Sequence, residues 1–334
     1  MNTSVAGIDV GARSLHLVVH TPTQSFNVTC FPNTPEGMAS LCDMLHQHQV
    51  RRVVLEATGI YHLDLALRLD ADPSLQVMVL NPKAAHAYAA ARMTRHKTDS
   101  IDATLLADYA RQMPFEAWAA PAEGTLAIRA CSRRLAALTQ QRTRAKNQLH
   151  ALARTRSTPD FLLEDMRLSI AQLDARISDL QARTLAMIQQ DSAMSNILAL
   201  ITSIKGFAEK SALQLMGELL VLPQDMRDKQ WVAMAGLDPR QHQSGTSVAR
   251  QTRISKRGNR YLRMALFMPA LCATQHEPHV KAYYRHLIEV RGLKKMQALC
   301  AVKRKFLHAI HAMLRHDEPF DPTRFYAMPQ GKGD

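Results

Sequence analysis

Four acidic residues in the first third of the chain have the type and placement of a cation-binding set. Asp9 ends the apolar run Val5-Ala6-Gly7-Ile8, and Glu56 ends Val53-Val54-Leu55. Asp99 and Asp102 follow in Thr98-Asp99-Ser100-Ile101-Asp102. A carboxylate at the end of a buried strand is costly unless positive charge meets it. Hard oxygen ligands gathered in one place suit Mg²⁺. Asp99 and Asp102 are three residues apart and share one face of a helix. Singly, each has a plainer reading: Thr98 caps a helix whose dipole favours Asp99, and Glu56 pairs with Arg51 or Arg52. Together, in an element order that brings the strand ends into one cleft, they predict a site for two Mg²⁺ ions and phosphoryl transfer.

A second stretch with chemical potential is Gln243-Ser244-Gly245-Thr246-Ser247, followed by Arg250, Arg253, Lys256, Arg257, Arg260 and Arg263. A serine that attacks a phosphodiester conserves the bond energy in a phosphoserine link, but its hydroxyl needs a base or a metal nearby. A Ser-Gly pair is more often simply a turn. The basic residues downstream form a stronger signal, because arginines surrounding a polar loop bind phosphates. Their plainer reading is a solvated helix face.

The elements that must position these residues are legible in outline. Ser4–Ile8, Ser14–His20 and Ser25–Phe31 read as three consecutive strands. A helix opens after Thr34 with Pro35 in its first turn. Val53–Leu55 and Gln76–Leu80 read as buried strands separated by a helix over Tyr61–Leu69. Pro82 opens an alanine-rich helix, and Asp99–Arg111 forms the next, ended by Pro114. Three strands, then helix, strand, helix, strand, helix, predict an α/β mixed sheet of the ribonuclease-H-like order.

Pro121 marks a boundary. Leu135, Leu138, Arg142, Ala145, Leu149 and Leu152 recur at three- and four-residue steps. After Ser157-Thr158-Pro159-Asp160 the steps resume through Met166, Ile170, Leu173, Ile177, Leu180, Thr184 and Met187. This predicts an antiparallel coiled-coil hairpin over 121–195. Heptads alone do not name the partner helix, so a packed spacer and a dimerisation arm both stay open. Residues 196–325 read as a third, mostly helical region. It holds a polar stretch from Asp238 to Arg253, an apolar helix over Tyr261–Ala273, and basic helices with Lys294-Lys295 and Lys303-Arg304-Lys305. Residues 326–334 read as a frayed tail.

Composition narrows the partners. Lys and Arg outnumber Asp and Glu by 42 to 29, a net charge of +13 that favours a polyanion. No apolar run approaches the roughly 20 residues of a spanning helix, and the first residues do not read as a signal peptide, so no membrane role is expected. The five scattered cysteines form no Cys-x-x-Cys pair and read as free thiols in a reducing cytoplasm. The histidines show no ligand spacing. Gly7-Ile8-Asp9-Val10-Gly11 also suits the first phosphate turn of an actin-like ATPase, but the thirteen glycines supply no second such turn.

Both constellations together resemble one family, the DEDD-type transposases of the insertion-sequence one-ten family, which includes pilin-gene inverting recombinases. The resemblance covers nearly the whole chain. It rests on Gly7-Ile8-Asp9, Leu55-Glu56-Ala57-Thr58-Gly59, Asn81-Pro82, Lys97-Thr98-Asp99 with Ile101-Asp102-Ala103, Ala235-Gly236-Leu237-Asp238-Pro239, Ser244-Gly245, Ile254-Ser255-Lys256-Arg257-Gly258-Asn259 and Leu262-Arg263. It implies a RuvC-like domain over 1–120 in which Asp9, Glu56, Asp99 and Asp102 bind Mg²⁺. It also implies a C-terminal transposase domain with Ser244 as the nucleophile. Further implications are double-stranded DNA as substrate, a structured noncoding RNA that pairs with target and donor, and a homodimer or higher oligomer whose site is shared between subunits. The chain departs from the family at Ile204-Lys205-Gly206-Phe207-Ala208, where members often carry Ile-Pro-Gly-Ile-Gly. The expected activity is Mg²⁺-dependent, serine-mediated strand exchange. The alternatives are a RuvC-like structure-specific endonuclease that uses water, and a noncatalytic nucleic-acid-binding protein.

Overall fold

A computed structural model describes residues 3–93, 98–244 and 248–328, and only the backbone of 241–244 and 248–252. The chain divides into two compact units, Met1–Ala120 and Pro121–Asp334.

The first unit is a five-stranded sheet with helices on both faces. Its elements are β1 (Ser4–Val10), β2 (Ser14–His20), β3 (Thr29–Pro32), α1 (Pro35–Gln47), β4 (Val50–Glu56), α2 (Leu63–Asp70), β5 (Gln76–Leu80), α3 (Pro82–Ala91) and α4 (Asp99–Gln112). The strand order is β3-β2-β1-β4-β5. β1, β2 and β3 pair antiparallel, whereas β4 and β5 run parallel to β1. This is the ribonuclease-H-like arrangement expected from the sequence. The third strand is shorter than expected, because Ser25 makes only an isolated bridge to His20 before Thr29 begins the pairing. Thr34 caps α1 as predicted, its hydroxyl accepting from Gly37 N at 3.3 Å.

Strand alternation decides what each face of this sheet carries. Ala6, Ile8, Val10, Leu15, Leu17, Val19, Val53 and Leu55 pack with Leu41, Leu45, Leu65 and Leu69 of α1 and α2. The residues between them point the other way, where Val5, Val54 and Val18 meet Ala103, Leu106, Ala107 and Ala110 of α4. Gly7, Asp9, His16, His20 and Glu56 share this second parity. Apart from the polar groups, α4 meets the sheet mostly through alanines, which lets its backbone lie close to β1.

In the second unit, α5 (Glu123–Leu152) and α6 (Asp160–Gln189) form the long helical hairpin. Leu135, Leu138, Ile177 and Thr184 are buried along it. Arg142, polar at a heptad position, donates to Asp174 Oδ1 across the hairpin at 2.7 Å. The chain continues through α7 (Ser192–Thr202), α8 (Glu209–Leu219), α9 (Asp228–Met234), β6 (Pro239–Ser244), β7 (Val248–Ile254), α10 (Arg260–Ala265), α11 (Phe267–His276), α12 (Pro278–Glu289), α13 (Lys295–His316) and α14 (Pro322–Phe325). α8 is the central helix, buried from Leu215 to Leu219. The departing Ile204–Ala208 segment is a tight turn with Gly206 at φ 107°, and a Cβ there would stand 2.9 Å from Pro269 O.

Three expectations for this unit are corrected. The polar stretch Asp238–Arg253 is not simply a loop: β6 and β7 form an antiparallel hairpin. The apolar helix over Tyr261–Ala273 is two helices, broken at Leu266; Pro269 has no N–H to return to the preceding turn. Tyr326 does not fray, since its carbonyl accepts from His279 at 2.8 Å and its ring packs on Tyr283. Residues 329–334, the rest of the expected tail, lie outside the described residues. All five cysteines are free. Among the described residues, no helix is long and apolar enough to cross a membrane.

Candidate metal centre

Asp9 is the next-to-last residue of the central strand, and His16 stands directly opposite it on β2. Strand pairing therefore brings together two residues seven apart in sequence. Thr98 caps α4 by accepting from Ile101 N at 3.3 Å, so the first turn of the helix presents Asp99 and Asp102. The capping reading of Thr98 and the site reading of Asp99 describe the same turn. One ligand atom each from Asp9, His16 and Asp99 lies within 4.8 Å of the other two. His16 Nδ1 is 3.8 Å from Asp99 Oδ2, with the His16 side chain 18% exposed and that of Asp99 68% exposed. Glu56 ends β4 one residue past Leu55, which pairs with Ile8, so it is a near neighbour of Asp9.

The electrostatics identify a site short of positive charge. Burial pushes the Asp9 carboxyl up to about 6, and the charges of Asp99, Asp102 and Glu56 push in the same direction. His16 opposes them. His16 Nδ1 is buried without a hydrogen-bond partner among the described residues. An orphaned imidazole nitrogen, a carboxylate crowded by like charges and an exposed carboxylate together fit a divalent cation. The sequence reading missed His16, because a spacing of seven is a ligand spacing only once the hairpin register is known.

A pH dependence follows. A proton competes with a cation at Asp9, so apparent cation affinity is expected to be flat above about pH 7 and to fall about tenfold per unit below about pH 6. Titration calorimetry with Mn²⁺ at several pH values reads this directly. For the cation-free protein the sign is the reverse of an ordinary salt-bridged aspartate. The stabilisation from a neutral Asp9 is complete below the ordinary value of 3.8 and is lost as pH rises through about 6.

The basic segment of the second unit is laid out differently. Arg253, Lys256, Arg257 and Arg260 are exposed, and Arg263 is half-buried. Arg240 and Arg253, both exposed, stand opposite each other on β6 and β7. Like charges so placed repel. Lys256 has a left-handed backbone with φ 52°, and Gly258 follows at φ 135°. Asn259 caps α10, accepting from Tyr261 N at 2.9 Å. Ser244 ends β6 with its backbone opposite Val248. The side chains of Ser244 and Arg250, and all of Lys97 and Gly245–Ser247, lie outside the described residues.

A family model for DEDD transposases of the IS110 type matches residues 6–155. A second, described as "Transposase IS116/IS110/IS902 family", matches residues 198–285. The pilin gene-inverting protein of Moraxella lacunata is 30% identical over 339 residues, covering 96% of this chain and 98% of that one. Its counterpart in Moraxella bovis is 30% identical over 337 residues with the same coverage. A solved structure of T. thermophilus RuvC with a Holliday junction substrate shares 18% identity, covering 33% of this chain and 95% of that one. The TM-score between the two is 0.27.

These findings correct the expectation of serine-mediated strand cleavage. The DEDD family model falls on the stretch that holds Asp9, His16 and Asp99, and the chemistry supported there is metal-dependent. That favours the second sequence reading, in which water rather than Ser244 is the attacking group. With two family models and two full-length relatives in agreement, the chain belongs to the IS110 family of DEDD transposases and is an enzyme of the transposase/recombinase class.

Proposed function

We propose that the first unit cleaves DNA phosphodiesters by metal-dependent hydrolysis, with Asp9, His16 and Asp99 holding Mg²⁺ and with Glu56 and Asp102 completing the acidic rim. The observation that carries this reading is the meeting of Asp9, His16 and Asp99 ligand atoms at one point. Asp9, His16 and Asp99 would hold a divalent cation, which would supply polarisation of a phosphoryl oxygen and a lowered pKa for water. The imidazole of His16 supports Mn²⁺ as a substitute ion.

The nucleophile is tested by mixing end-labelled duplex with the protein and Mg²⁺, then running a denaturing gel. Free, shortened DNA is expected, and cleavage in ¹⁸O-water is expected to place the label on the new terminal phosphate. Labelled DNA that stays bound to denatured protein would overturn the water mechanism.

Arg253, Lys256, Arg257, Arg260 and Arg263, with Arg250, serve in this reading as a DNA-backbone surface. The opposed Arg240–Arg253 pair supports it, because a phosphate between two guanidiniums removes their repulsion. A structured noncoding RNA and a second copy of the chain are further proposed partners. The half-buried Leu149, Leu152, Met166 and Ile170, with Phe161 74% exposed nearby, support the second copy. Light scattering with and without RNA from the element's flank tests both: a monomer that binds no such RNA would remove them.

A further inference from the structure

Glu218 lies in the buried stretch of α8 and is 1% exposed. Its two carboxylate oxygens are shared among residues of α5 and the start of α10. Arg133 donates from Nε to Oε1 at 2.7 Å and from Nη2 to Oε2 at 3.0 Å. Asn259, the cap of α10, donates from Nδ2 to Oε2 at 2.6 Å. Arg129 Nε stands 3.9 Å from Oε2. Burying two charges costs desolvation that their attraction barely offsets, and apolar residues of similar volume hold a core as well. Stability alone therefore does not account for this cluster.

Both branches from Glu218 end on the exposed basic segment. Along the first, the Asn259 side-chain oxygen accepts from Tyr261 N at 2.9 Å and Leu262 N at 3.3 Å. Its amide is thereby fixed between α8 and the first turn of α10, just after the exposed Lys256 and Arg257. Gly258 leaves no slack on the other side, since a Cβ there would collide with Met234 O. Along the second branch, the Arg133 guanidinium lies over the Tyr261 ring, 4.8 Å from its centroid. The Arg260 guanidinium lies 5.1 Å from the same centroid and donates to the Tyr261 hydroxyl at 3.3 Å. Arg260 is exposed and takes part in no ion pair among the described residues.

We propose that Glu218 is a positioning residue for DNA binding. Through Asn259, and through Arg133 and Tyr261, it presets the Lys256–Arg260 turn so that the exposed cations meet backbone phosphates without reordering. The proposal rests on the reading of Arg253–Arg263 as a DNA surface. An arginine already held on a ring loses less freedom on binding a phosphate than a free one.

The test uses the full-length protein and labelled duplex DNA. The variant carrying both Arg133→Met and Glu218→Leu removes one charge of each sign, so the net charge is unchanged. Its thermal midpoint is expected to equal or exceed that of wild type, while duplex affinity falls roughly tenfold at about 0.1 M salt. Arg260→Ala is expected to weaken binding roughly fivefold in wild type and less than about twofold in the double variant, where the arginine is no longer held. Wild-type affinity in the double variant would overturn the proposal. So would an equal effect of Arg260→Ala in both backgrounds, which would show a structural role alone. If the double variant melts early, Tyr261→Leu and Tyr261→Phe decide instead: the leucine is expected to lose affinity and the phenylalanine to keep most of it, and equal affinities would overturn the proposal. No effect of Arg260→Ala in wild type would remove the DNA surface itself. A loss confined to an RNA hairpin would overturn the assignment to DNA.

Discussion

Asp9→Asn is expected to lower DNA cleavage by about 10³-fold or more, equivalent to about 4 kcal/mol of barrier, while making the cation-free protein more stable. Both effects come from one cause. The Asp9 carboxylate is crowded by Asp99, Asp102 and Glu56 and partly buried, so its charge is unwelcome until a cation arrives. An amide removes that charge but is a poorer ligand for a cation. After allowance for screening by solvent, the gain at pH 7.5 is about 1–2 kcal/mol. Single-turnover nicking assays and urea denaturation of the same preparation, without divalent cations, read the two quantities. Loss of activity together with loss of stability would mean that Asp9 is a structural residue.

Gly7→Ala is expected to be the most damaging small substitution in the first unit. A Cβ at Gly7 would stand 2.7 Å from Leu106 C and closer still to Ala107 N and Ala103 O. These are backbone atoms of α4 and cannot rotate away. The helix must move, and with it Asp99 and Asp102. A destabilisation of about 3 kcal/mol or more is expected, with cleavage falling further than the folded fraction alone explains. Gly7 thus has a geometric role in the Gly7-Ile8-Asp9 motif: it lets the helix that bears two acidic residues lie flush on the strand that bears the third. Denaturant unfolding of Gly7→Ala checks the size, and a midpoint equal to wild type would refute the close approach.

How much of this was readable beforehand differs from residue to residue. β5 was legible to the residue, and α1 was announced by Thr34 and Pro35, because alternation, capping and proline act locally. Asp9 and Glu56 were visible as acids closing apolar runs, and Asp99 with Asp102 as a helical pair. His16 was not visible, since its role depends on which residue of β2 faces Asp9. The β6–β7 hairpin was hidden because Pro239–Ser244 and Val248–Ile254 lack the alternating apolar pattern that marks a strand buried on one face. Glu218 was masked because one acid in Leu215-Met216-Gly217-Glu218-Leu219-Leu220 reads as the solvated position of a helix until its partners on α5 and α10 are known. In each case the missing information was tertiary: a register, a pairing partner, or which side of a helix is covered.

A divalent cation held jointly by Asp9, His16 and Asp99 would stabilise the folded protein against heat, which thermal unfolding with increasing Mn²⁺ reads. The wild-type midpoint is expected to climb steadily with Mn²⁺ at pH 7.5, while a protein carrying both His16→Ala and Asp99→Asn is expected to show no climb. An equal rise in the two proteins would place the cation elsewhere and contradict the metal centre described above.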